Sequence, residues 1–335
     1  MKIGKISVNV LKRSVLRQIH TKREDVVNGA GIGEDCAIFT FPGETVTTSC
    51  VQEAPLIWPT CGKLSGEQRS ITHLIRKCAN NLAAKGAEPV AVLITLLLPE
   101  SLEEADLKKV MEEADKACEN LHMQIAGGQT RVTGMVSMPY SVVTGIGKMP
   151  SETYRNLKAA APGQDVVISK WIGLEGTSFL ARRYRQKLSE RYPACLVEEA
   201  AGFDRYLSVI PEAAVAVKSG VCAMHDVSEG GIFGALWELA EGAGVGLTIE
   251  LKKLPLRQET VEVCECCNVN PYELLSGGCL LMTSEDGPGL VSALKAQGIP
   301  AVTVGKVTGS KERILVNEDE IRYMDRPQRD GIYEE

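Results

Sequence analysis

The sequence is poor in the features that mark membrane-spanning, nucleic-acid-binding and secreted proteins. Its longest apolar run, Val90–Leu98, ends at Pro99 and is far shorter than the roughly 20 residues that cross a bilayer. Basic residues do not dominate, because 37 Lys and Arg stand against 43 Asp and Glu, a formal net charge of −6. We therefore expect neither nucleic acid nor a membrane as a partner. The stretch Lys2–Thr21 lacks the apolar core of a signal peptide, which predicts a cytoplasmic protein.

A disulfide framework and a complete metal-binding motif are also missing. The 11 cysteines are an odd number and most lie singly inside regular segments, so reduced thiols are the better interpretation for a chain of this size. The exception is the C-x-x-C segment Cys264–Cys267. Half of a zinc site or a redox pair is one interpretation. We favour buried apolar thiols, because none of the four histidines is spaced to complete a zinc site.

Two common nucleotide-binding motifs are absent as well. None of the glycine-rich segments matches G-x-x-x-x-G-K-[ST]. None matches G-x-G-x-x-G between a strand and a helix. A P-loop or a Rossmann-type cofactor site is therefore not expected.

What the sequence does contain is two halves that each mix buried strands with amphipathic helices. A length of 335 residues predicts about two domains. Turn residues concentrate between Tyr154 and Gly163, so we expect an N-terminal domain over 1–153, a C-terminal domain over 154–325 and a tail over 326–335. Sheet and helices in each half predict the α+β or the α/β class.

Apolar periodicity predicts the individual elements. A helix is expected from Ile71 to Leu82, ended by Gly86, and a capping box at Ser101–Glu104 is expected to open a second helix. The other predicted helices are 178–192, 231–240, 289–297 and the C-x-x-C segment. The predicted strands are 90–98, 138–147, 165–169, 221–223, 246–251, 279–283 and 301–306.

Four short segments combine glycines, small polar residues, acids or amides. Gly230 and Gly231 would let backbone N–H groups approach an anion, and Ser228 is expected to cap the same helix. Glu34 and Asp35 offer the hard oxygen ligands that Mg²⁺ prefers. Taken singly, Glu34 and Asp35 are explained better by a solvated turn than by a metal site, and Gly230 and Gly231 by a tight loop than by an anion site. The segments are Gly31–Ala37, Ala79–Ala83, Ala126–Thr130 and His225–Gly231.

The order of these segments resembles the aminoimidazole-ribonucleotide (AIR) synthetase superfamily, also called PurM-like. Glu34–Ile38 is similar to its D-D-A-A-V segment, Ala79–Ala83 to V-N-D-L-A, and Gly127–Thr130 to G-G-D-T. His225–Gly231 is similar to H-D-L-S-[DE]-G-G. The resemblance spans nearly the whole chain and, with Asn270–Leu274 similar to D-P-L-x-L, is strongest to the HypE hydrogenase maturation proteins.

The resemblance implies an α+β fold of two domains. The N-terminal domain would form a barrel across a homodimer, and the C-terminal domain would be α+β. It also implies ATP, with Mg²⁺ held on its phosphates, a small substrate whose amide, carboxylate or phosphate oxygen is phosphorylated or activated, and a partner protein in metalloenzyme maturation.

Carried over residue by residue, the resemblance also assigns roles. Asp35 and Asp226 are expected to be catalytic, and Glu34, Asp35 and Asn81 are expected to bind the metal. The expected ATP-binding residues are Glu34, Asp35, Ser49, Asn80, Asn81, Gly128, Gln129, Thr130, Ser228, Gly230 and Gly231.

The sequence departs from the family pattern where charge matters most. Ser49, Asn81 and Gln129 stand where the family carries Asp, so three formal negative charges are missing from the expected metal site. Neutral oxygens neither neutralise Mg²⁺ nor compete well with its hydration, so we expect weaker binding of Mg²⁺–ATP, or a different ligand. The C-terminal cysteine of HypE is absent from 330–335, so HypE's own reaction is not expected.

Three functional hypotheses stay open. The chain is an ATP-dependent enzyme of phosphotransferase or ligase type, a non-catalytic protein that binds a nucleotide or metabolite, or a maturation scaffold. A docking face for the scaffold would be Arg182, Arg183 and Arg185, although a solvated surface explains these arginines better. His225 is either a general base oriented by Asp226 or, as we favour, a core histidine.

Overall fold

The computed structural model describes residues 8–10, 12–13, 16–18, 26–28, 30–34, 36–40, 45–57, 69–325 and 330–333. Asp35, which is predicted to be catalytic and to bind metal, lies outside the described residues. The described chain divides into two compact units. The N-terminal unit contains 36–154 and the described residues of 26–30, and the C-terminal unit contains 155–333, the turn Gly31–Glu34 and the described residues before 19. The C-terminal unit includes a one-turn helix α1 (Val8–Val10).

The N-terminal unit is an open six-stranded sheet with two helices. Its elements are β1 (Val26–Asn28), β2 (Cys36–Thr40), β3 (Thr45–Pro55), α2 (Ile71–Ala84), β4 (Glu88–Leu98), α3 (Glu104–Asn120), β5 (Gln124–Val132) and β6 (Tyr140–Pro150). The strand order is β1-β2-β3-β6-β4-β5, so β1 and β5 are the edges. The β4–β5 pair is parallel and the other pairs are antiparallel.

Helix α2 forms where the sequence predicts it. The Ser70 hydroxyl accepts a hydrogen bond from the N–H of His73 (3.1 Å) and so caps its first turn. Its apolar side is buried against the sheet, and it lies close to β6 at Gly145, where an added Cβ would be 2.9 Å from Cβ of Cys78. Gly86 follows the helix with φ +84°, a conformation that favours glycine, so the predicted stop is confirmed.

The predicted capping box of α3 is wrong. The N-cap residue is Glu103 instead of Ser101, and it makes no side-chain capping bond. Glu104 and Asp106 in the first turn instead place negative charge at the positive end of the helix dipole.

The C-terminal unit is built on a seven-stranded sheet. Its elements are β7 (Asp165–Ser169), α4 (Leu174–Arg183), α5 (Arg185–Ser189), α6 (Ala194–Ala201), α7 (Ile210–Lys218), β8 (Ala223–Asp226), α8 (Gly231–Ala243), β9 (Gly246–Glu250), α9 (Gln258–Cys267), β10 (Leu280–Ser284), α10 (Gly287–Ala296), β11 (Ala301–Thr308), β12 (Arg313–Asn317) and β13 (Glu320–Tyr323). The strand order is β13-β12-β9-β11-β7-β10-β8, in which the β9–β12 pair is parallel and the other pairs are antiparallel.

Two large apolar clusters and a small one around Phe203 stabilise the described part of the C-terminal unit. In the largest one, Val166 and Ile168 of β7 belong to the same core as Leu236 and Leu239 of α8. The other large cluster joins α4, α6 and α9 and includes Ile332 near the end of the chain. Because each unit combines a sheet with helices, the prediction of a two-domain α+β fold is confirmed. Among the described helices, none has the length and apolarity that crossing a membrane requires.

Some predicted elements need correction. The helix predicted over 178–192 is two helices, α4 and α5, separated at Tyr184. The segment Ala126–Thr130 is not the glycine turn that its sequence predicts, because it lies inside strand β5.

Candidate functional site

A glycine turn joins β8 to α8. Gly230 is the N-cap residue with φ +86°, and Gly231 has φ +64°. A Cβ on Gly231 would lie 2.4 Å from the carbonyl oxygen of Tyr272, so only glycine fits there. The carbonyl of Ser228 accepts hydrogen bonds from the N–H groups of Gly231 and Ser276, both 3.2 Å. We call residues 228–231 the α8 turn.

Several backbone donors at the start of α8 already have acceptors within the chain. The N–H of Gly230 donates to Oδ2 of Asp330 at 2.6 Å, and the N–H of Phe233 donates to the carbonyl of Tyr272 at 3.2 Å. The expected cap from Ser228 is wrong, since the N-cap residue is Gly230, which has no side chain. An anion approaching Gly230 would have to compete with Asp330, and the ATP-binding roles of Ser228, Gly230 and Gly231 stay predictions.

Asp330 is a buried acid near the end of the chain. It is 2% exposed, and burial raises its pKa to about 7, with the neighbouring charge of Glu229 acting in the same direction. Hydrogen bonds from the N–H groups of Ile332, Gly230 and Leu275 act in the opposite direction but do not outweigh burial.

His225 is paired with a carboxylate that the sequence did not indicate. Its Nε2 lies 3.2 Å from Oε2 of Glu238 on α8, and the residue is 2% exposed. Asp226 follows it on β8, where successive side chains point to opposite faces, and is 7% exposed. This arrangement favours a structural role for His225. The catalytic role of Asp226 stays a prediction.

The turn Gly31–Glu34 packs against the same helix. A Cβ on Gly33 would lie 2.8 Å from Cδ1 of Leu157 and 3.1 Å from the carbonyl oxygen of Glu238. A Cβ on Gly242 would lie 3.1 Å from the carbonyl of Ile32. The fold therefore brings the Glu34 segment close to α8, two segments that are about 200 residues apart in the chain.

In the N-terminal unit, the two adjacent amide residues of helix α2, Asn80 and Asn81, are buried. Asn80 is 6% and Asn81 is 2% exposed, although the helix is otherwise buried through apolar residues. The carbonyl of Asn81 accepts a hydrogen bond from Sγ of Cys36 at 3.3 Å. Ser49 pairs with Ala37, the residue after Cys36, across β2 and β3. Ser49 and Asn81 are thus brought into one region.

Three buried cysteines lie beneath this region. Cys36 and Cys50 are directly opposite on β2 and β3, and Cys78 lies on α2. Their thiols hydrogen-bond to carbonyls, for example Cys78 to Val143 at 3.4 Å. Hydrogen bonds with Cys36 and Cys78, reinforced by burial, raise the pKa of Cys50 well above its ordinary value. The cluster is inert packing rather than a nucleophile.

Gly128, Gln129 and Thr130 lie on the exposed edge strand β5. A Cβ on Gly128 would lie 1.9 Å from the carbonyl oxygen of Ile94, so this close approach of strands requires glycine. Three strand spacings, about 14 Å, separate β5 from Ser49 on β3. The N-terminal unit alone therefore does not bring Gln129 next to Ser49.

The described residues do not by themselves form a magnesium site. No group of three or more His, Cys, Asp or Glu in this part of the chain is arranged to hold a metal. Asp35 lies outside it, so the metal-binding roles of Glu34, Asp35 and Asn81 stay predictions. On α9, burial raises the pKa of Cys264 to about 12 and that of Cys267 to about 11, which favours protonated thiols over zinc ligands.

The arginines of the possible docking face, Arg182, Arg183 and Arg185, all contact other residues of the C-terminal unit. Arg185 makes two bonds to Glu198, at 2.6 and 2.9 Å. Arg182 pairs with Asp204, and Arg183 lies over the ring of Tyr184. These contacts favour an ordinary solvated surface.

Comparison with known proteins places this geometry in a family. The model of the N-terminal domain of AIR synthase related protein matches residues 33–149, and that of its C-terminal domain matches 161–317. The carbamoyl dehydratase HypE of Rhodobacter capsulatus is 28% identical over 233 residues, which are 68% of this chain and 66% of that protein.

Solved structures agree on the fold. HypE in complex with ATP superposes with a TM-score of 0.70 at 18% identity and covers 98% of this chain and 97% of its own. HypE from the HypE–HypF complex gives a TM-score of 0.69 at 20% identity, with 88% and 94% covered. The family models span both units, and the chain belongs to the AIR synthase related protein family.

Proposed function

We propose that this chain binds ATP and acts as a HypE-like maturation protein that phosphorylates or activates an oxygen of a small substrate. The observation that carries the proposal is the burial of the adjacent amides Asn80 and Asn81 on α2. These amides stand where the family carries its N-D pair, on the side of α2 that is otherwise buried through apolar residues. The ATP complex of HypE, which shares this fold, supports a nucleotide as the ligand.

Thermal unfolding with ATP tests this proposal. We expect millimolar ATP with Mg²⁺ to raise the melting temperature of the full-length chain, because a ligand that binds only the folded state stabilises it. Asn81→Asp restores one missing negative charge and is expected to increase the Mg²⁺-dependent part of the shift. Asn120→Asp, which adds the same charge at an exposed position of α3, is the matched control. No shift in the wild type, with circular dichroism showing a folded protein, would contradict the proposal.

A second candidate is a non-catalytic nucleotide- or metabolite-binding protein on the same fold. It is favoured by the neutral residues Ser49, Asn81 and Gln129, which leave the phosphate charge poorly compensated. Release of phosphate from ATP separates the two candidates: the enzyme hydrolyses ATP or transfers its phosphate, and the binding protein does neither. The HypE–HypF complex supports a protein partner for either candidate.

We also propose that the N-terminal units of two copies associate through β5 and the open side of the sheet. Strand β5 is an edge whose residues are almost all exposed, which is an unusual state for nine residues in a sheet. Val51 of β3 is 55%, Leu93 of β4 38% and Val132 of β5 61% exposed. A partner copy would bury these side chains and would supply a second Gln129 segment.

Light scattering after size exclusion tests this association. We expect wild type to be a dimer and Val51→Glu combined with Leu93→Glu to be a monomer. Ile321→Glu, at a residue of β13 that is 69% exposed in the other unit, is the control and should stay dimeric. A monomeric wild type would contradict the proposal.

A further inference from the structure

The segment Asp330–Tyr333 contributes a buried acid to the α8 turn. Both oxygens of Asp330 accept backbone N–H groups: Oδ2 accepts from Gly230 (2.6 Å), and Oδ1 from Leu275 (3.2 Å) and Ile332 (3.0 Å). Among the described residues, neither Lys nor Arg forms an ion pair with it. The carboxyl group therefore occupies the position of an anion at the start of α8.

The rest of the segment packs against the apolar cluster of helices α4, α6 and α9 and not against the sheet. The N–H of Gly331 donates to the carbonyl of Glu273 at 3.2 Å, and Ile332 packs in the cluster that contains Leu180 and Val263. No strand of the sheet includes these residues. The segment can therefore leave the α8 turn without disrupting the sheet.

We propose that the docked segment Asp330–Tyr333 regulates the site: Asp330 is an intramolecular competitor for a triphosphate, and a triphosphate bound at the α8 turn displaces the segment. This inference rests on the proposed function. The N–H of Gly230 has one proton to donate, so it serves either Asp330 or a phosphate oxygen. Glu229 on the same turn adds a second negative charge, so a bound phosphate would repel both acids and favour release of the segment.

Truncating the carboxyl group removes the competitor. Asp330→Ala is expected to bind ATP with Mg²⁺ at least about threefold more tightly than wild type, measured by titration calorimetry at pH 8. Asp325→Ala removes an exposed acid five residues earlier in the chain and should leave the affinity unchanged. An equal or weaker affinity of Asp330→Ala, with wild type still binding ATP, would overturn the competition and leave the proposed function standing.

Hydrogen exchange of the wild-type chain provides a second measurement, which does not depend on whether a variant folds. The N–H groups of Leu275 and Ile332 are protected by Asp330, so saturating ATP should speed their exchange at least about threefold. Amides of β7 serve as the internal control and should not change. Unchanged exchange at Leu275 and Ile332 under saturating ATP would overturn the competition. If neither wild type nor Asp330→Ala binds ATP at all, the proposed function itself fails.

Discussion

Two buried acids of the C-terminal unit, Glu212 and Asp330, are compensated in opposite ways. Glu212 on α7 lies 2.5 Å from Nζ of Lys170, which also donates to the carbonyls of Tyr206 (2.7 Å) and Ser208 (2.5 Å). Among the described residues, the groups that face Asp330 are the backbone N–H groups of Gly230, Leu275 and Ile332 and the acid Glu229. The first pair is a fixed part of the scaffold, because separating it would leave a buried charge. We propose that another anion, a triphosphate, can take the place of the second acid.

The largest expected effect comes from breaking the fixed pair. Glu212→Gln should lower the free energy of unfolding by about 3–5 kcal/mol, because it leaves the Lys170 ammonium buried with carbonyls alone. Urea denaturation measures this change. Glu318→Gln, at the exposed partner of Lys252, is the matched control and should change the midpoint little. A small loss for Glu212→Gln would remove the distinction between the two acids.

The ionisation of Asp330 should change the free energy of unfolding by on the order of 4 kcal/mol between pH 4 and pH 8. Its pKa rises from 3.8 to about 7 in the docked segment, so folding favours the protonated form. The contribution of this group is fully present below about pH 4 and is lost as the pH rises to about 7. The difference in melting temperature between wild type and Asp330→Ala should therefore shrink from pH 5 to pH 7.5.

A neighbouring substitution sharpens this prediction. Glu229→Gln removes a charge that raises the pKa of Asp330, so the pH-dependent change should move to lower pH. A difference between wild type and Asp330→Ala that does not vary with pH would contradict the burial of Asp330 as the cause of its raised pKa.

A smaller effect is expected at the turn Gly31–Glu34. Gly33→Ala should cost about 2–3 kcal/mol, because it combines a positive φ with a methyl group 2.8 Å from Leu157. Gly163→Ala has a positive φ as well, but no atom lies within 4 Å of its added Cβ, so it should cost about 1 kcal/mol. Thermal unfolding compares the two variants. Equal losses would mean that the turn does not pack firmly on α8.

The smallest effect is expected for the exposed pair Arg185–Glu198. Hydrogen bonds and the charge of Arg185 lower the pKa of Glu198, but both side chains are more than half exposed. Water and salt screen such a pair, so Glu198→Gln should leave the urea midpoint within experimental error. A loss comparable to that of Glu212→Gln would show that burial does not decide which ion pairs matter.

Local patterns predicted much of the fold. Strand β7 has the predicted bounds, Asp165–Ser169, because a Pro-Gly turn precedes a run of buried apolar residues. Helix α9 forms over the C-x-x-C segment as predicted. The long helix expected over 178–192 breaks at Tyr184. Gly127 and Gly128 lie in strand β5, where Gly128 allows a close approach to β4. Such tertiary contacts override local propensity.

The sequence indicated the segments of the candidate site but not the contacts that they make. Acids, amides and glycines indicated the segments, and the fold does bring the Gly31–Glu34 turn against α8. The pairing of His225 with Glu238 depends on how α8 lies on the sheet, so the adjacent Asp226 suggested the wrong partner. Asp330 and Gly230 are 100 residues apart, and no local pattern indicates such a contact.

The most direct test of the account is a crystal structure of the full-length chain grown with Mg²⁺ and a non-hydrolysable ATP analogue. The account predicts a triphosphate within hydrogen-bond distance of the N–H of Gly230, with Asp330 no longer bonded to it. A chain that crystallises at millimolar analogue with no nucleotide bound, and with Asp330 still on Gly230, would contradict it.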